Sequence, residues 1–238
     1  MADVLAFAEQ RDGQIGGSAR EAVSAAARLA KALGGSAHAL VLGAPGISGQ
    51  AGGLGKYGAA KVLVGEHDQV GEYNPEAYAG VVAGRIKDGG YGAVIFPATT
   101  LGKDLAPRVA ASLDVPLAAD ATGLDAEDGK VSIVRPVYAG KAFAHIEVDA
   151  SPVLVSIRPN VFQATESDAA GEVETFTPEI DASGLKVRVV ERKGASDGQI
   201  DVSEAAIVVS GGRGMKEPEN WSLLESLRDA IGSDAALG

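Results

Sequence analysis

The sequence predicts an α/β fold, a mostly parallel sheet with flanking helices plus an antiparallel addition, and three observations carry that expectation. Up to about residue 120, short apolar runs punctuated by glycine alternate with helical patterns. Between residues 130 and 157 strands follow one another with no helix between them, which adds the antiparallel part. Composition is the third: 238 residues, 46% hydrophobic and 22% charged, can bury a sizeable core without staples.

Each element has its own local signal. Residues 4–8 (VLAFA) read as a buried strand. Ser18 opens S-A-R-E, a capping box with Glu21 at its third helical position, and the alanine-rich helix it starts stops at Gly34-Gly35. Residues 37–42 and 61–64 are the next buried strands, Asn74-Pro75 caps a helix running to about Lys87, and 93–96 is another apolar strand. A short helix follows over 102–112, and then the strands 130–137, 141–148 and 152–157. Residues 185–190 alternate like a last strand, and 193–199 (KGASDGQ) have the composition of a linker. The expected organisation is an N-terminal α/β domain over 1–193, a linker over 194–200, and a second domain over 201–238. That last stretch has an apolar strand at 205–209, a glycine loop at 210–214 and a helix from Pro218 to about Ile231. One strand and one helix cannot enclose a core, so it reads as the first βα unit of an incomplete domain.

Charge and composition exclude several function classes. A net charge of −11 opposes nucleic acid and anionic membranes, since both need clustered Lys and Arg to neutralise phosphate. The absence of cysteine removes disulfides, thiolate nucleophiles and Cys-ligated metals, and suits a reducing compartment. The opening MADVLAFAEQRDG lacks a basic signal region, and no apolar run is long enough to span a bilayer, so neither secretion nor an integral membrane protein is expected.

Few motifs carry chemistry. Gly53-Leu54-Gly55-Lys56-Tyr57-Gly58 spells G-x-G-x-x-G, but no strand runs into it and no helix opens from it. It reads as a glycine-rich crossover, with a phosphate loop as the alternative. His38, His67 and His145 have no paired spacing for a metal site. No G-x-S-x-G or Walker A loop occurs, so no catalytic side chain is visible. Ser210-Gly211-Gly212-Arg213-Gly214 differs because it lies directly between a buried strand and a helix. Glycines let a ligand approach the backbone, the helix offers free N–H groups, and Arg213 offers planar cationic donors; a tight turn with an exposed arginine is the competing reading. A second candidate, at the end of the strand 93–96, is Thr99, Thr100, Gly102 and Lys103, which resemble an anion pocket but read better as a capping turn.

At these residues the sequence resembles the electron transfer flavoprotein alpha-subunit family. The matching pieces, in order, are A-K-V-L-V from Ala60, G-K-D-L-A-P-R-V-A-A from Gly102, R-P-V-Y-A-G-K-A from Arg135, S-I-R from Ser156, and I-V-V-S-G-G-R-G-M-K from Ile207 with E-N-W from Glu219. The resemblance implies an adenine-nucleotide hydrolase-like first domain without its own nucleotide, and a smaller second domain that holds FAD. It implies cofactor binding by Arg213 with Gly212 and Gly214, and neither a catalytic residue nor a metal. It further implies an electron carrier rather than an enzyme, paired with a beta subunit. That carrier would take electrons from flavin dehydrogenases, such as the acyl-CoA dehydrogenases of fatty acid β-oxidation, and give them to a membrane quinone oxidoreductase. The expected compartment is the cytoplasm, or the mitochondrial matrix in a eukaryote. Since the chain stops at Gly238, ahead of most of the family's flavin motifs, FAD is expected in the complete heterodimer and not on this chain alone. The competing expectations are a stand-alone nucleotide-binding module and an ATP-using enzyme of the hydrolase-like fold.

Overall fold

Where a strand is apolar at every position, both of its faces must be covered, and the first strand of this chain is such a strand. The computed structural model describes residues 2–191, 202, 205, 207–232 and 235–238, which fall into two compact units, Met1–Val189 and Val190–Gly238. The elements of the first unit begin with β1 (Val4–Phe7), a small hairpin of β2 (Gln10–Arg11) and β3 (Gln14–Ile15), α1 (Gly17–Leu33) and β4 (Ala37–Gly43). Next come α2 (Ser48–Ala51), β5 (Lys61–Glu66), α3 (Pro75–Gly89), β6 (Ala93–Pro97) and α4 (Thr100–Leu113). The unit is completed by β7 (Leu117–Ala121), β8 (Gly123–Glu127), β9 (Lys130–Val137), β10 (Ala142–Glu147), β11 (Val153–Ile157) and β12 (Glu172–Phe176).

Seven strands form one parallel sheet in the order β12-β5-β4-β1-β6-β11-β7. Val4 and Ala6 of β1 point into one apolar cluster with the alanine face of α1, while Leu5 and Phe7 point into the other with α3 and α4. An antiparallel sheet, β10-β9-β8, lays Val131 and Ile133 into the α1 cluster, so that α1 lies between two sheets. The second unit holds β13 (Ile207–Val209), α5 (Ser222–Ile231) and β14 (Ala235–Leu237), with β13 and β14 paired in parallel.

The expected α/β architecture, with its mostly parallel sheet and antiparallel addition, is the one observed, and several local readings are corrected. Ser18 opens no capping box: the hairpin ends at Ile15, an extended Gly16 turns the chain, and α1 begins at Gly17 without a side-chain cap. Glu21 accepts instead from the N–H of Asn160, 2.9 Å away. Residues 185–190 form no strand, because Lys186 N–H donates to Glu76 and the Val187 carbonyl accepts from Asn74, which tie this segment to the start of α3. The strand near residues 152–157 is β11, which enters the parallel sheet between β6 and β7 and not the antiparallel part. The place assigned to it there belongs to β8, joined to β9 by the left-handed pair Asp128-Gly129. The second unit is a βαβ unit and not a single βα step, because Ala235–Leu237 returns beside β13. The linker expected at 194–200 lies outside the described residues.

Two predictions follow from this packing. The buried Asn74 side chain accepts from the N–H groups of Glu76 and Ala77 (3.0 and 3.1 Å) and donates to Val187 (2.8 Å). Asn74→Ala is expected to lower stability in urea by about 1–2 kcal/mol and to make the 185–190 segment the first site of tryptic attack, at Lys186 or Arg188. His38 on β4 lies 2.9 Å from the Tyr91 hydroxyl, and burial holds its imidazole below the ordinary value of 6.5, against the raising influence of Asp3. Its folded pKa being depressed, stability is whole above 6.5 and is lost as the pH falls through the folded value. Urea midpoints at pH 7.5 and pH 5 should therefore differ more for the wild type than for His38→Gln.

Candidate functional site

Two loops sit at the carboxyl ends of parallel strands, the place where open α/β sheets bind ligands. In the first unit this is the end of β1 and β6, where the order of connections reverses. Thr99 follows β6; its hydroxyl caps α4 by accepting from Gly102 N–H at 3.0 Å and donates to the carboxylate of Glu9, which follows β1. Gly102 is there for space, since a Cβ would lie 1.8 Å from the Pro97 carbonyl oxygen. Asp104, one turn on, accepts two bonds from Arg108 and one from Tyr73. These partners, Arg108 first, hold its carboxyl below the ordinary range, while burial and then Asp104 push the Tyr73 hydroxyl up. Thr99, Gly102 and Asp104 thus build a capping turn. Glu9 puts a negative charge at the reversal, where a nucleotide phosphate would have to sit. The sequence reading missed Glu9; its signal was being the first charge after an all-apolar strand.

The G-x-G-x-x-G stretch forms a 3-10 turn over Gly52–Tyr57 between α2 and β5. The carbonyl of Lys56 accepts from the N–H and hydroxyl of Ser167, so this crossover is a packing surface for the chain that returns to β12.

The second unit brings Gly212, Arg213 and Gly214 together after β13. Gly212 is extended, Arg213–Met215 makes one 3-10 turn, and a second turn over Pro218–Trp221 leads into α5. Met215 N–H donates to the Gly212 carbonyl, Lys216 N–H to the Arg213 carbonyl, and the Asn220 amide to the Met215 carbonyl at 2.7 Å. Neither 3-10 turn, nor the start of α5, is closed by a capping side chain. The three glycines are not equivalent. A Cβ on Gly211 would lie 2.5 Å from the Leu224 Cδ1 and 3.1 Å from Trp221, so a side chain there would force those side chains of the following helix region to shift, whereas Gly212 and Gly214 face open space at ordinary backbone angles. Arg213 is exposed, and among the described residues no ion pair holds its guanidinium. One glycine therefore answers to packing, and two glycines and a free cation answer to nothing within the turn. Such a turn can receive a large anionic ligand: the backbone is approachable, N–H groups are free, and the arginine can swing onto the ligand.

Comparison with known proteins extends this picture across the chain. A family model described as the electron transfer flavoprotein domain matches residues 4–181. Protein FixB of Clostridium saccharobutylicum is 34% identical over 239 residues, covering 98% of this chain and 70% of its own length. The electron transfer flavoprotein subunit alpha of Syntrophomonas wolfei is 37% identical over 238 residues, covering 100% of this chain and 73% of its own length. The protein of that name in Bacillus subtilis is 35% identical over 241 residues, covering 99% and 71%.

The unequal glycines are open to test. Gly211→Ala should loosen the β13–α5 contact by about 1–3 kcal/mol, read as faster amide exchange in Ile207–Val209 and Ser222–Ile231. Gly212→Ala and Gly214→Ala should leave exchange there unchanged.

Proposed function

Because the chain belongs to the electron transfer flavoprotein family, in its alpha-subunit line, we propose that it is the alpha half of a heterodimeric electron carrier whose FAD is held in part by the Gly212-Arg213-Gly214 turn. The partner is a beta subunit. Electrons would come from flavin dehydrogenases, such as acyl-CoA dehydrogenases, and pass to a membrane quinone oxidoreductase. In this reading residues 1–193 are the scaffold domain and 201–238 belong to the flavin-binding part, joined through 194–200. The carrier works in the cytoplasm, or in the mitochondrial matrix of a eukaryote; no helix among the described residues is long and apolar enough to cross a membrane.

The observation that carries the proposal is the free Arg213 between two glycines that packing does not require. When bound, FAD supplies the one- and two-electron chemistry. The residues of this chain need only hold and bias it. Arg213 sets a positive charge and a planar fork of donors on the carboxyl side of β13, which favours a negatively charged ligand and strengthens with each added negative charge. Gly212 and Gly214 let the ligand reach main-chain N–H groups, and the uncapped helix start adds its partial positive charge. The nucleotide-binding alternative in the first unit has no such support, because Glu9 and Thr99 close the reversal point onto each other.

In the heterodimer, Arg213→Ala should weaken FAD retention by about one to two decades, the worth of a charge-assisted contact of roughly 1.5–3 kcal/mol, and should lower the flavin midpoint potential. Arg213→Lys should restore part of both. FAD content and potential measured for the three proteins in parallel check this; an Arg213→Ala protein identical to wild type in both would remove the assignment.

A further inference from the structure

At the carboxyl end of the large sheet one carboxylate, Asp120, is paired with Arg158 and feels the charges of Lys103 and Arg135. Arg158, which follows β11, grips Asp120 at the end of β7 with two hydrogen bonds of 3.0 and 2.5 Å, while its own N–H donates to the Ala121 carbonyl at 2.9 Å. Asp120 is steadied further by its N–H, which donates to the buried Ser156 hydroxyl at 3.0 Å. Arg135 comes to the same segment from the other side: β8 and β9 pair Gly123 with Val134, and the N–H of Thr122 donates to the Val134 carbonyl at 2.7 Å. Lys103, exposed, stands in the first turn of α4 at the end of the nearby β6. The carboxyl of Asp120 is held below its ordinary range, first by the Arg158 bonds and further by the charges of Lys103 and Arg135.

The cluster is not balanced from within. Asp120 is satisfied by Arg158, and no ion pair among the described residues involves Arg135 or Lys103. The Nε of Arg135 is buried with no hydrogen-bond partner. A buried donor on a charged group is costly to leave without an acceptor, so native proteins rarely do. Three positive charges against one negative also leave two in excess, on a chain whose net charge is −11.

We propose that Arg135 and Lys103, with Arg158 locked behind them on Asp120, form a binding site for a phosphate-type dianion. Two negative charges match the excess. A guanidinium offers parallel donors to a tetrahedral oxyanion, and the Lys103 ammonium adds a second, exposed positive charge. The free ion and a phosphate ester share this chemistry. The proposal is independent of the flavin reading, since neither the Arg213 turn nor any redox chemistry enters it.

Calorimetric titration of the full chain with inorganic phosphate, and separately with glycerol 1-phosphate, at constant ionic strength against a chloride blank, tests the site. One saturable site per chain is expected. Arg135→Gln and Lys103→Gln should each weaken it at least about tenfold, and Lys87→Gln, on α3, should not change it. Preference for one titrant tells ester from free ion, and either preference supports the site. No saturable heat with either anion, or an affinity untouched in both variants, overturns it. Should Arg135→Gln fail to fold, Lys103→Gln decides alone, because that side chain is exposed.

Discussion

The constraint on which the rest depends is the double burial of β1. Val4, Leu5, Ala6 and Phe7 are essentially removed from solvent, alternating between two apolar clusters, so no side of this strand can face water. Parallel neighbours on both edges satisfy its backbone, and helices must cover both faces, which sends α1 to one side and α3 and α4 to the other. The two covers differ in kind. Five alanines of α1 allow close approach and leave room for a second sheet outside it, whereas the α3 face fills its space with Phe7, Tyr78 and Phe96. The antiparallel layer takes up that room: Val131 and Ile133 pack into the same cluster as the α1 alanines and the large sheet.

The same constraint explains where charges gather. The central strands are apolar inside, so around them polar residues collect where strands end: Glu9 and Thr99 after β1 and β6, Asp120 and Arg158 at β7 and β11. At the reversal point the two residues satisfy each other and the crevice is spent on structure. At the β7 and β11 end the balance fails, and cations remain over. The Arg213 turn of the second unit repeats the second situation on a smaller scale.

What could be read from the sequence was whatever has a local cause. The buried strands, the Asn74 cap, the stop at Gly34 and the glycine turn after β13 all announce themselves within a few residues. What could not be read depends on distant partners. Glu172–Phe176 is mostly exposed and looks polar, and is a strand only because the open edge of β5 needs one. Residues 185–190 alternate without becoming a strand, because their partners are Asn74 and Glu76. Two hairpins had a local signal that went unused, the Asp-Gly pairs at 12–13 and 128–129 with both residues left-handed. Of the candidate sites, the Arg213 turn was legible because it is contiguous, while Asp120, Arg135 and Arg158 are brought to one end of the sheet by strand pairing, and Lys103 by the helix that follows β6.

The position of β11 also orders events in time. β7 joins the large sheet through β11 alone, yet β11 is made last of the strands on that side, after the whole antiparallel layer. A growing chain that has reached residue 121 therefore carries a finished βα half with one raw edge on β6, and that edge stays unpaired while about thirty further residues are synthesised and fold back. On the opposite side β5 waits longer still, for residues 172–176. Synthesis of this unit thus passes through an interval in which both flanks of the apolar parallel sheet lack their final edge strands at once.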